Sequence, residues 1–376
     1  MKGADADDMA IFDMVRRYAE QKLAPLAGHI DRTGEFAGLH LKDLAELGIM
    51  GLNLPSEWGG AGVSPTALFL AVQALASACA STTSMITAHY LATDALFLGG
   101  GDAIRSSYLP RAAAGLSLGA FALTEPKAGS SPSDMATRAE RTGAGYRIRG
   151  TKHFISNASQ ADFIVVFAVT NASLGTRGIS AFVIDEGTEG LAFGSNESTM
   201  GLRGGHVFEV SIDCEVGEDK RIGDEGTGFR TAMKVLDNGR IEVSAMCVGI
   251  AEAALSAATS WARQRIVNGQ PIAELQGIQW MLADMATQLE AARLLGMKAA
   301  AARGSGARFS LESSMAKLFA SEMAARVTDL ALQIHGGYGY TCDMPLERYV
   351  RDARIMRIYE GSSEIQRNII ARTVLA

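Results

Sequence analysis

The pattern of apolar residues changes twice along the chain, and this order constrains the fold more than any other feature. In the first third, apolar residues such as Phe12, Val15 and Ala19 recur at helical spacing. The middle third carries short apolar or alternating runs, among them Phe163–Val169, that predict strands. From about Gly228 the helical spacing returns and continues to the C-terminus. Because the strands do not alternate with long helices, a β-barrel or sandwich is expected instead of a parallel βαβ sheet.

This order predicts three domains in a mainly helical chain with a central β domain. The expected boundaries are an N-terminal α-helical domain at residues 1–117, a middle β-barrel domain at 118–227 and a C-terminal helical bundle at 228–376. Within the last part, residues 228–265, 273–303 and 310–335 are each long enough for a full bundle helix.

Glycine, proline and serine mark several of the expected helix ends. Ser64 followed by Pro65 is a good helix start, and Gly48 and Gly115 are expected helix stops. Pro25 lies near the expected end of the first helix.

The composition fits a globular enzyme and argues against other classes. Of 376 residues, 48% are hydrophobic and 20% are charged, the formal net charge is -6, and Lys and Arg form no run. Binding of nucleic acid through a basic surface is therefore not expected. The sequence contains no stretch of about 18 uninterrupted apolar residues, so no membrane span is predicted. The N-terminal residues show no charged stretch followed by an apolar segment, so a secretion signal is not predicted and a cytoplasmic protein is expected.

The four cysteines give no sign of a metal site or a disulfide framework. Cys79, Cys214, Cys247 and Cys342 are far apart and form no CxxC pair and no metal-type spacing with histidine. We interpret them as reduced thiols of the core, and no metal is expected.

The most informative local motif lies near the C-terminus, where residues 358–366 read IYEGSSEIQ. Ser363 followed three residues later by Gln366 is a capping-box pattern, which predicts a helix start at Ser363. Glu360 precedes it beside Gly361, which lets the backbone approach a ligand closely. A carboxylate on such a loop can serve as a general base. A solvated acid in the first turn of a helix has the same pattern, because the helix dipole favours negative charge there.

Two stretches in the middle third suggest contacts to a flat polar ring. Residues 121–130 read FALTEPKAGS, a strand running into a turn with hydroxyl groups at Thr124 and Ser130. Residues 150–157 read GTKHFISN, where Phe154 could stack on a ring and Ser156 could point at its edge. An ordinary hairpin entry and ordinary core packing remain the alternatives.

Two further motifs lie in the C-terminal helices. Residues 333–340 read QIHGGYGY, where paired glycines either end a helix or let a phosphate approach. His335 in this stretch is interpreted as a core histidine. Residues 237–240 read DNGR and interrupt a helical run with two charges, as a solvated kink or an internal polar site.

Taken together, these motifs resemble the acyl-CoA dehydrogenase family. The TEPxAGS turn, the GxKxFIS strand, the DxxR element, QIxGGxGY and IYEGSSEIQR occur in the order and spacing of that family. The resemblance covers essentially the whole chain. It implies an N-terminal helical domain, a middle β-barrel and a C-terminal four-helix bundle, which agrees with the apolar pattern. It also implies an FAD-dependent enzyme that converts an acyl-CoA to the trans-2-enoyl-CoA.

The resemblance assigns the catalytic base to Glu360. In such enzymes the base removes the α-proton of the thioester while the β-hydrogen leaves as hydride to flavin N5. The family polarises the thioester carbonyl with the backbone N–H of the base and a flavin ribityl hydroxyl, which is oxyanion-type stabilisation. Burial is expected to raise the pKa of the carboxylate toward the working pH.

The resemblance also assigns binding residues. Those matching contacts to the flavin ring are Phe121, Leu123, Thr124, Ser130, Phe154, Ile155 and Ser156. Those matching contacts to the FAD adenosine and pyrophosphate, usually made across a subunit interface, are Arg265, Gln276, Gln333, Ile334, Gly336 and Gly337. Later FAD contacts match Ser362 and Glu364. Positions near the bound acyl-CoA are Ser130, Asp237, Arg240, Tyr359, Gly361 and Arg372.

Some positions differ from the usual family pattern. Where Gly-Ser-Asp is usual, Ser130 is followed by SPSD, with Asp134 as a candidate substitute for the acid. Asn268 stands where the adenine-side loop usually has phenylalanine. The helix that lines the acyl pocket in the family carries Ser84, Thr87, Ala88 and His89 here and no arginine. This argues against a dicarboxylyl substrate and favours a short or branched acyl chain.

The expected partners follow from the same resemblance. They are an acyl-CoA substrate, an electron-transferring flavoprotein as acceptor and further copies of the chain in a homotetramer. An acyl-CoA oxidase or a related flavin enzyme that uses oxygen is the alternative, although monooxygenase relatives generally lack the base at Glu360. A non-catalytic acyl-CoA-binding scaffold is the alternative from another class.

Overall fold

The computed structural model describes residues 4–376, and the first part of this range is helical. Its α-helices are α1 (Ala6–Tyr18), α2 (Ala24–Thr33), α3 (Leu41–Glu46), α4 (Pro65–Ala78), α5 (Ala80–Gly99) and α6 (Asp102–Ala113). Ser64 caps α4 by accepting a hydrogen bond from the Ala67 N–H at 2.9 Å. Gly48 follows α3 with a φ of 71°, and Gly115 follows α6 with a φ of 66°. The local signals for these helix ends are confirmed.

The expected end of the first helix near Pro25 is wrong. A π-helical turn at Ala19–Leu23 joins α1 directly to α2, and Pro25 lies in the first turn of α2. Proline lacks the N–H that a regular α-helix would use at this point, and the π-helical turn directly before it is where the hydrogen-bond pattern of the helix changes. The helix therefore continues to Gly34, which ends it with a φ of 67°.

The central part of the chain forms one sheet of eight strands. They are β1 (Gly119–Ala122), β2 (Arg138–Arg141), β3 (Gly145–Ser156), β4 (Phe163–Val169), β5 (Ile179–Asp185), β6 (Leu191–Phe193), β7 (Val207–Gly217) and β8 (Arg221–Ile222). Seven of them pair in the order β6-β7-β3-β2-β4-β5-β8, and β1 pairs with β4. Most pairs are antiparallel, while β1 and β2 run parallel to β4. A sheet without long crossover helices was expected and is found.

The last part of the chain returns to helices. They are α7 (Gly228–Gln264), α8 (Gln276–Gly304), α9 (Ser310–His335), α10 (Leu346–Ile355) and α11 (Ser363–Val374). Residues 237–240 do not break the helix, because α7 runs through them without interruption. Helix α7 is long and apolar enough to cross a membrane, but 72% of its most apolar window is buried inside the protein, as in a core helix.

The core joins helices from both ends of the chain. Phe69 of α4 is fully buried, and an added Cβ at Gly296 of α8 would lie 2.3 Å from its Cε2 atom. One apolar cluster contains Phe69 together with Met246 of α7 and Ala320 of α9. Helix α5 also packs against α7, so residues from the first and last thirds of the chain contact each other in the core.

A short hairpin connects α7 to α8. Between α7 and α8 lie the short strands β9 (Ile266–Val267) and β10 (Gln270–Pro271), joined by Asn268 and Gly269 with φ angles of 50° and 82°. Two positive φ angles in an Asn-Gly pair are typical of a tight hairpin turn.

Three cysteines are buried, but Cys342 is exposed, so its assignment to the core is wrong.

Candidate active site

Glu360 lies on the short loop between α10 and α11 in an unusual backbone conformation. Its φ is 52°, in the left-handed region that non-glycine residues rarely adopt, and Gly361 follows with a φ of 87°. Such a conformation costs about 1–3 kcal/mol and persists only where the surroundings hold it. Strain of this kind at the predicted base is evidence that the loop is built for a purpose other than stability.

The helix start after this loop was predicted correctly, but its capping residue was not. Ser362 is the N-cap of α11, and its side chain accepts from the Ile365 N–H. The Ser363 hydroxyl instead donates to Glu322 Oε1 at 2.7 Å. The Gln366 amide turns back and donates to the carbonyl oxygens of Glu360 at 3.1 Å and Gly361 at 2.8 Å. The amide of Gln366 therefore holds the strained loop from the helix side.

The carboxylate of Glu360 reaches the middle of α7. An added Cβ at Gly239 would lie 2.0 Å from Glu360 Oε2 and 2.8 Å from Leu91 Cδ2 of α5. A side chain at this position would occupy the space that the carboxylate takes. The Oε2 atom is buried and accepts no hydrogen bond from the described residues 4–376. A buried acceptor without a donor is free to take a proton from a ligand.

The charges around Glu360 act in both directions. The pKa of its carboxyl group is raised to about 7; burial is the main cause, and nearby Asp94 acts in the same direction. Arg240 and Lys317 oppose this rise. Arg240 is itself buried and pairs with Asp237, whose other oxygen accepts from the Ser310 hydroxyl. Asp237 and Arg240 therefore form the internal polar site that was one of the two alternatives for residues 237–240.

Two buried acidic residues that the sequence motifs did not indicate, Asp94 and Glu242, lie beside this site. Asp94 on α5 accepts hydrogen bonds from Asn53 at 2.7 Å and from Asn238 at 2.6 Å. Glu242, one turn after Gly239 on α7, is buried, and neither of its oxygens has a donor in the described chain. Burial and Asp94 raise the pKa of Glu242 well above its ordinary value. An Asp inside the apolar helix pattern of α5 was the available signal.

The two predicted flavin-contacting segments lie side by side. The His153 N–H donates to the Thr124 carbonyl at 2.9 Å, and the buried Lys152 Nζ donates to the Leu123 carbonyl at 3.2 Å. Lys152 also pairs with Glu125 at 2.8 Å, and both side chains are buried. Leu123 is buried and Thr124 half-buried at this junction. The structure thus joins the two segments into one surface.

Phe154 presents an aromatic face on that surface. It is 61% exposed, has a φ of 58° and lies at a bulge of β3, stacked on the His153 ring at 4.1 Å. Ile155 points the other way into the sheet core, so only its main chain can face a ligand. Ser156 is half-buried and Ser130 is exposed.

The predicted adenosine and pyrophosphate positions form a separate site. Arg265, Ile334, Gly336 and Gly337 line one cavity of about 430 Å³ with Tyr338. None of the residues predicted to contact the flavin ring lines it. His335 in the same stretch stacks on Trp261 at 5.0 Å, as expected of a core histidine.

The remaining residues that were predicted to bind FAD or acyl-CoA do not form one further site. Tyr359 follows α10 with its hydroxyl near the Met246 and Met356 sulfur atoms. The other predicted contacts that are exposed at the surface are Gln276, Gln333, Glu364 and Arg372. Phe121 is half-buried and packs edge-on against Phe167.

Three family models match consecutive parts of this chain. The N-terminal domain of acyl-CoA dehydrogenases matches residues 5–116, the middle domain residues 120–214 and the C-terminal domain residues 226–375. The matches follow one another in the order of the helices, the sheet and the last helices.

Individual relatives match over nearly the whole chain. The acryloyl-CoA reductase (NADH) of Anaerotignum propionicum is 44% identical over 96% of this chain and 93% of its own length. The structure of butyryl-CoA dehydrogenase from Megasphaera elsdenii is 37% identical and covers 100% of both chains with a TM-score of 0.98. A chain from work on the electron transferring flavoprotein of Acidaminococcus fermentans is 40% identical, with a TM-score of 0.98 over 100% of this chain and 99% of its own. This chain therefore belongs to the acyl-CoA dehydrogenase family of oxidoreductases.

Proposed function

We propose that this protein uses FAD to dehydrogenate a short acyl-CoA to the trans-2-enoyl-CoA, with Glu360 as the base that removes the α-proton. The observation that carries the proposal is the buried, unpartnered Oε2 atom of Glu360 on a strained loop. A carboxylate with a pKa of about 7 is close to the optimum for a general base near neutral pH.

The residues present fit FAD at the two places predicted for it. Phe154 offers an exposed ring beside Thr124 and Ser156, as stacking and edge contacts to a flat ring require. At Gly336 and Gly337 an added Cβ would meet no atom within 4 Å, so the main chain is open to a phosphate group. Bound FAD would supply the acceptor for the β-hydrogen of the substrate.

The main chain of Glu360 has a role beside that of its carboxylate. Within residues 4–376 its N–H donates to no main-chain or side-chain acceptor. We infer that this N–H donates to the thioester carbonyl and stabilises the negative charge that develops when the α-proton leaves. In this proposal one residue supplies both the N–H for the thioester carbonyl and the carboxylate for the α-proton.

The acyl chain is proposed to lie beside α5. Ser84, Thr87, Ala88 and His89 are all buried there. Burial lowers the pKa of His89 to about 4, and its Nδ1 accepts the Gly119 N–H at 2.9 Å, so it carries no charge for a second carboxylate. The lack of a charged side chain among these four residues favours a short neutral acyl chain such as butyryl, and the similar butyryl-CoA dehydrogenase supports the same choice.

The proposed partners extend the site beyond one protomer. The cavity beside Arg265 is separate from the surface beside Phe154, so we propose that the adenosine part of FAD bound to one subunit is held by the next subunit of a homotetramer. The similar chain from work on the electron transferring flavoprotein of Acidaminococcus fermentans supports such a protein as the electron acceptor. A cytoplasmic location remains part of the proposal.

The reverse reaction is a second candidate function. The relative that is 44% identical is an acryloyl-CoA reductase, which adds hydrogen to the same bond that a dehydrogenase oxidises. Glu360 in its protonated form would then give the α-proton, and a pKa of about 7 allows both forms near neutral pH.

One experiment separates these functions. The purified protein is checked for a flavin spectrum and mixed with saturated acyl-CoAs, alone and with a flavoprotein or dye acceptor, and with enoyl-CoAs plus a reductant. We expect acceptor-dependent oxidation of butyryl-CoA. Faster reduction of an enoyl-CoA would favour the reductase, and peroxide formed in air at the turnover rate would favour an oxidase. A protein that cannot be loaded with FAD would contradict all three.

Gly239→Ala is expected to leave the fold intact but to reduce activity by about 100-fold, since misplacing a catalytic group by an ångström has an effect of this size. The new Cβ would lie 2.0 Å from Glu360 Oε2, so the flexible carboxylate must move while α7 keeps its course. Gly304→Ala is the control, because its Cβ would meet only Pro65 at 3.6 Å. Steady-state rates with butyryl-CoA and circular dichroism check both variants, and parent-like activity of Gly239→Ala would refute the close approach.

The rate at low acyl-CoA concentration is expected to rise with pH through about 7. Burial raises the pKa of Glu360 to about 7, and only the deprotonated form above that pH can accept the α-proton. Below this value the rate should fall about tenfold per pH unit, since the base fraction falls by that factor. The measurement is kcat/KM against pH, and a flat profile across this range would contradict the assignment.

A further inference from the structure

We propose that Lys317 is a positioning residue for Glu360, which holds the Glu360–Gly361 main chain in place and keeps the base as a carboxylate. This inference rests on the proposed role of Glu360 as the base and adds a residue to that site.

The contact between Lys317 and the base loop is direct. Lys317 lies on α9 with no exposed side-chain surface, and its Nζ donates to the Gly361 carbonyl at 2.7 Å. That carbonyl belongs to the residue directly after the base, which has a φ of 87°. A shift of this carbonyl would disturb the positive φ angles of Gly361 and Glu360, and with them the backbone conformation that holds the base.

The fold itself does not need this cation. The Gly361 carbonyl already accepts from Gln366 Nε2 at 2.8 Å, so it would keep a donor without Lys317. Of the ion pairs between described residues, none within 4.0 Å includes Lys317. A buried cation without a carboxylate partner is unfavourable for folding, because its desolvation is not offset by a close opposite charge. The cation is therefore explained by the site and not by stability.

Lys317 faces the base together with several other ionisable groups. These are Arg240, Glu242 and Cys247 on α7, Asp94 on α5, Glu322 on α9, and Tyr359 beside the base. Burial lowers the pKa of Lys317 to about 8 and Arg240 acts in the same direction, while Glu360 favours its charged form. It is therefore mainly a cation at neutral pH, and it favours the ionised form of Glu360 against burial and Asp94.

Lys317→Met tests the proposal, since Met replaces the amine by an apolar group of similar length. Arg326→Met is the matched control, because Arg326 is an exposed cation on the same helix. Lys317→Arg keeps the charge in a larger side chain. For each FAD-loaded protein the rate of flavin reduction by butyryl-CoA is measured against pH, together with butyryl-CoA binding and the urea midpoint of unfolding.

For Lys317→Met we expect flavin reduction about 100-fold slower at neutral pH. The midpoint of its pH profile should move up by about one unit, because the cation that favours the carboxylate is gone. Butyryl-CoA binding should be kept, and the urea midpoint should be unchanged or higher. Lys317→Arg should keep the parent pH midpoint even where its rate is reduced, and Arg326→Met should behave as the parent.

Two results would overturn the role of Lys317. One is a Lys317→Met protein with the rate and pH midpoint of the parent. The other is a Lys317→Met protein that is clearly less stable or unfolded, because the charge would then serve the fold. Failure of the proposed function looks different: the parent protein would bind FAD, but no acyl-CoA would reduce it.

Discussion

Glu360→Gln should bind FAD and butyryl-CoA as the parent does but reduce its flavin about 1000-fold more slowly. Gln has nearly the shape of Glu and keeps the main-chain N–H, so the variant removes only the ability to accept the α-proton. General-base catalysis by one side chain contributes typically about 10²–10⁴-fold. Stopped-flow absorbance of the flavin under anaerobic conditions measures the rate, and equilibrium titration with butyryl-CoA measures binding.

The stability of this variant carries a second part of the prediction. The carboxylate of Glu360 is buried without a hydrogen-bond donor and has its pKa raised to about 7. A neutral amide at this place removes an unfavourable buried charge, so the unfolding midpoint should stay the same or rise. Glu46→Gln on the exposed surface of α3 is the control for the substitution itself. Flavin reduction by Glu360→Gln at the parent rate would show that another group is the base.

Lys152→Met should lower the free energy of unfolding by about 3 kcal/mol. Lys152 and Glu125 form a buried ion pair at 2.8 Å behind the surface that carries Phe154. Removing one partner leaves a buried charge without compensation, which costs about 3–5 kcal/mol. We expect a value near the lower limit, because Glu125 still accepts from the Ala136 and Thr137 N–H groups. Urea unfolding at one fixed protein and FAD concentration measures the change.

The double variant Glu125→Gln/Lys152→Met separates the charge from the packing. Without either charge no unpaired carboxylate remains, so the double variant should be more stable than Lys152→Met alone. Lys127→Met, at an exposed position of the same turn, controls for loss of a lysine. If Lys152→Met unfolds within about 0.5 kcal/mol of the parent, as surface substitutions do, the pair does not hold this part of the sheet.

The sequence predicted the features that are decided by local chemistry. Ser64 before Pro65, Gly48 and Gly115 mark helix ends because capping and left-handed glycine act within a few residues. The completely buried strand Phe163–Val169 and the long helices of the last third were found from their apolar periods.

Errors arose where distant contacts decide the structure. Residues 237–240 left two alternatives open, because the group that accepts from the Asn238 amide is Asp94, 144 residues earlier in the chain. The Ser363 hydroxyl is taken by Glu322 on α9, so Ser362 becomes the cap of α11. Lys317 reaches Gly361 across 44 residues, and no spacing rule connects the two positions. These contacts exist only after α5, α7, α9 and the base loop have packed together.

In an anaerobic titration we expect the FAD-loaded protein to oxidise an acyl-CoA at its α and β carbons. The FAD-loaded protein is titrated with butyryl-CoA while the oxidised-flavin absorbance and the enoyl-CoA product are followed together. We expect the absorbance to be lost and enoyl-CoA to appear in proportion to the reduced flavin. Flavin that stays oxidised while a panel of saturated acyl-CoAs binds and is recovered unchanged would contradict it.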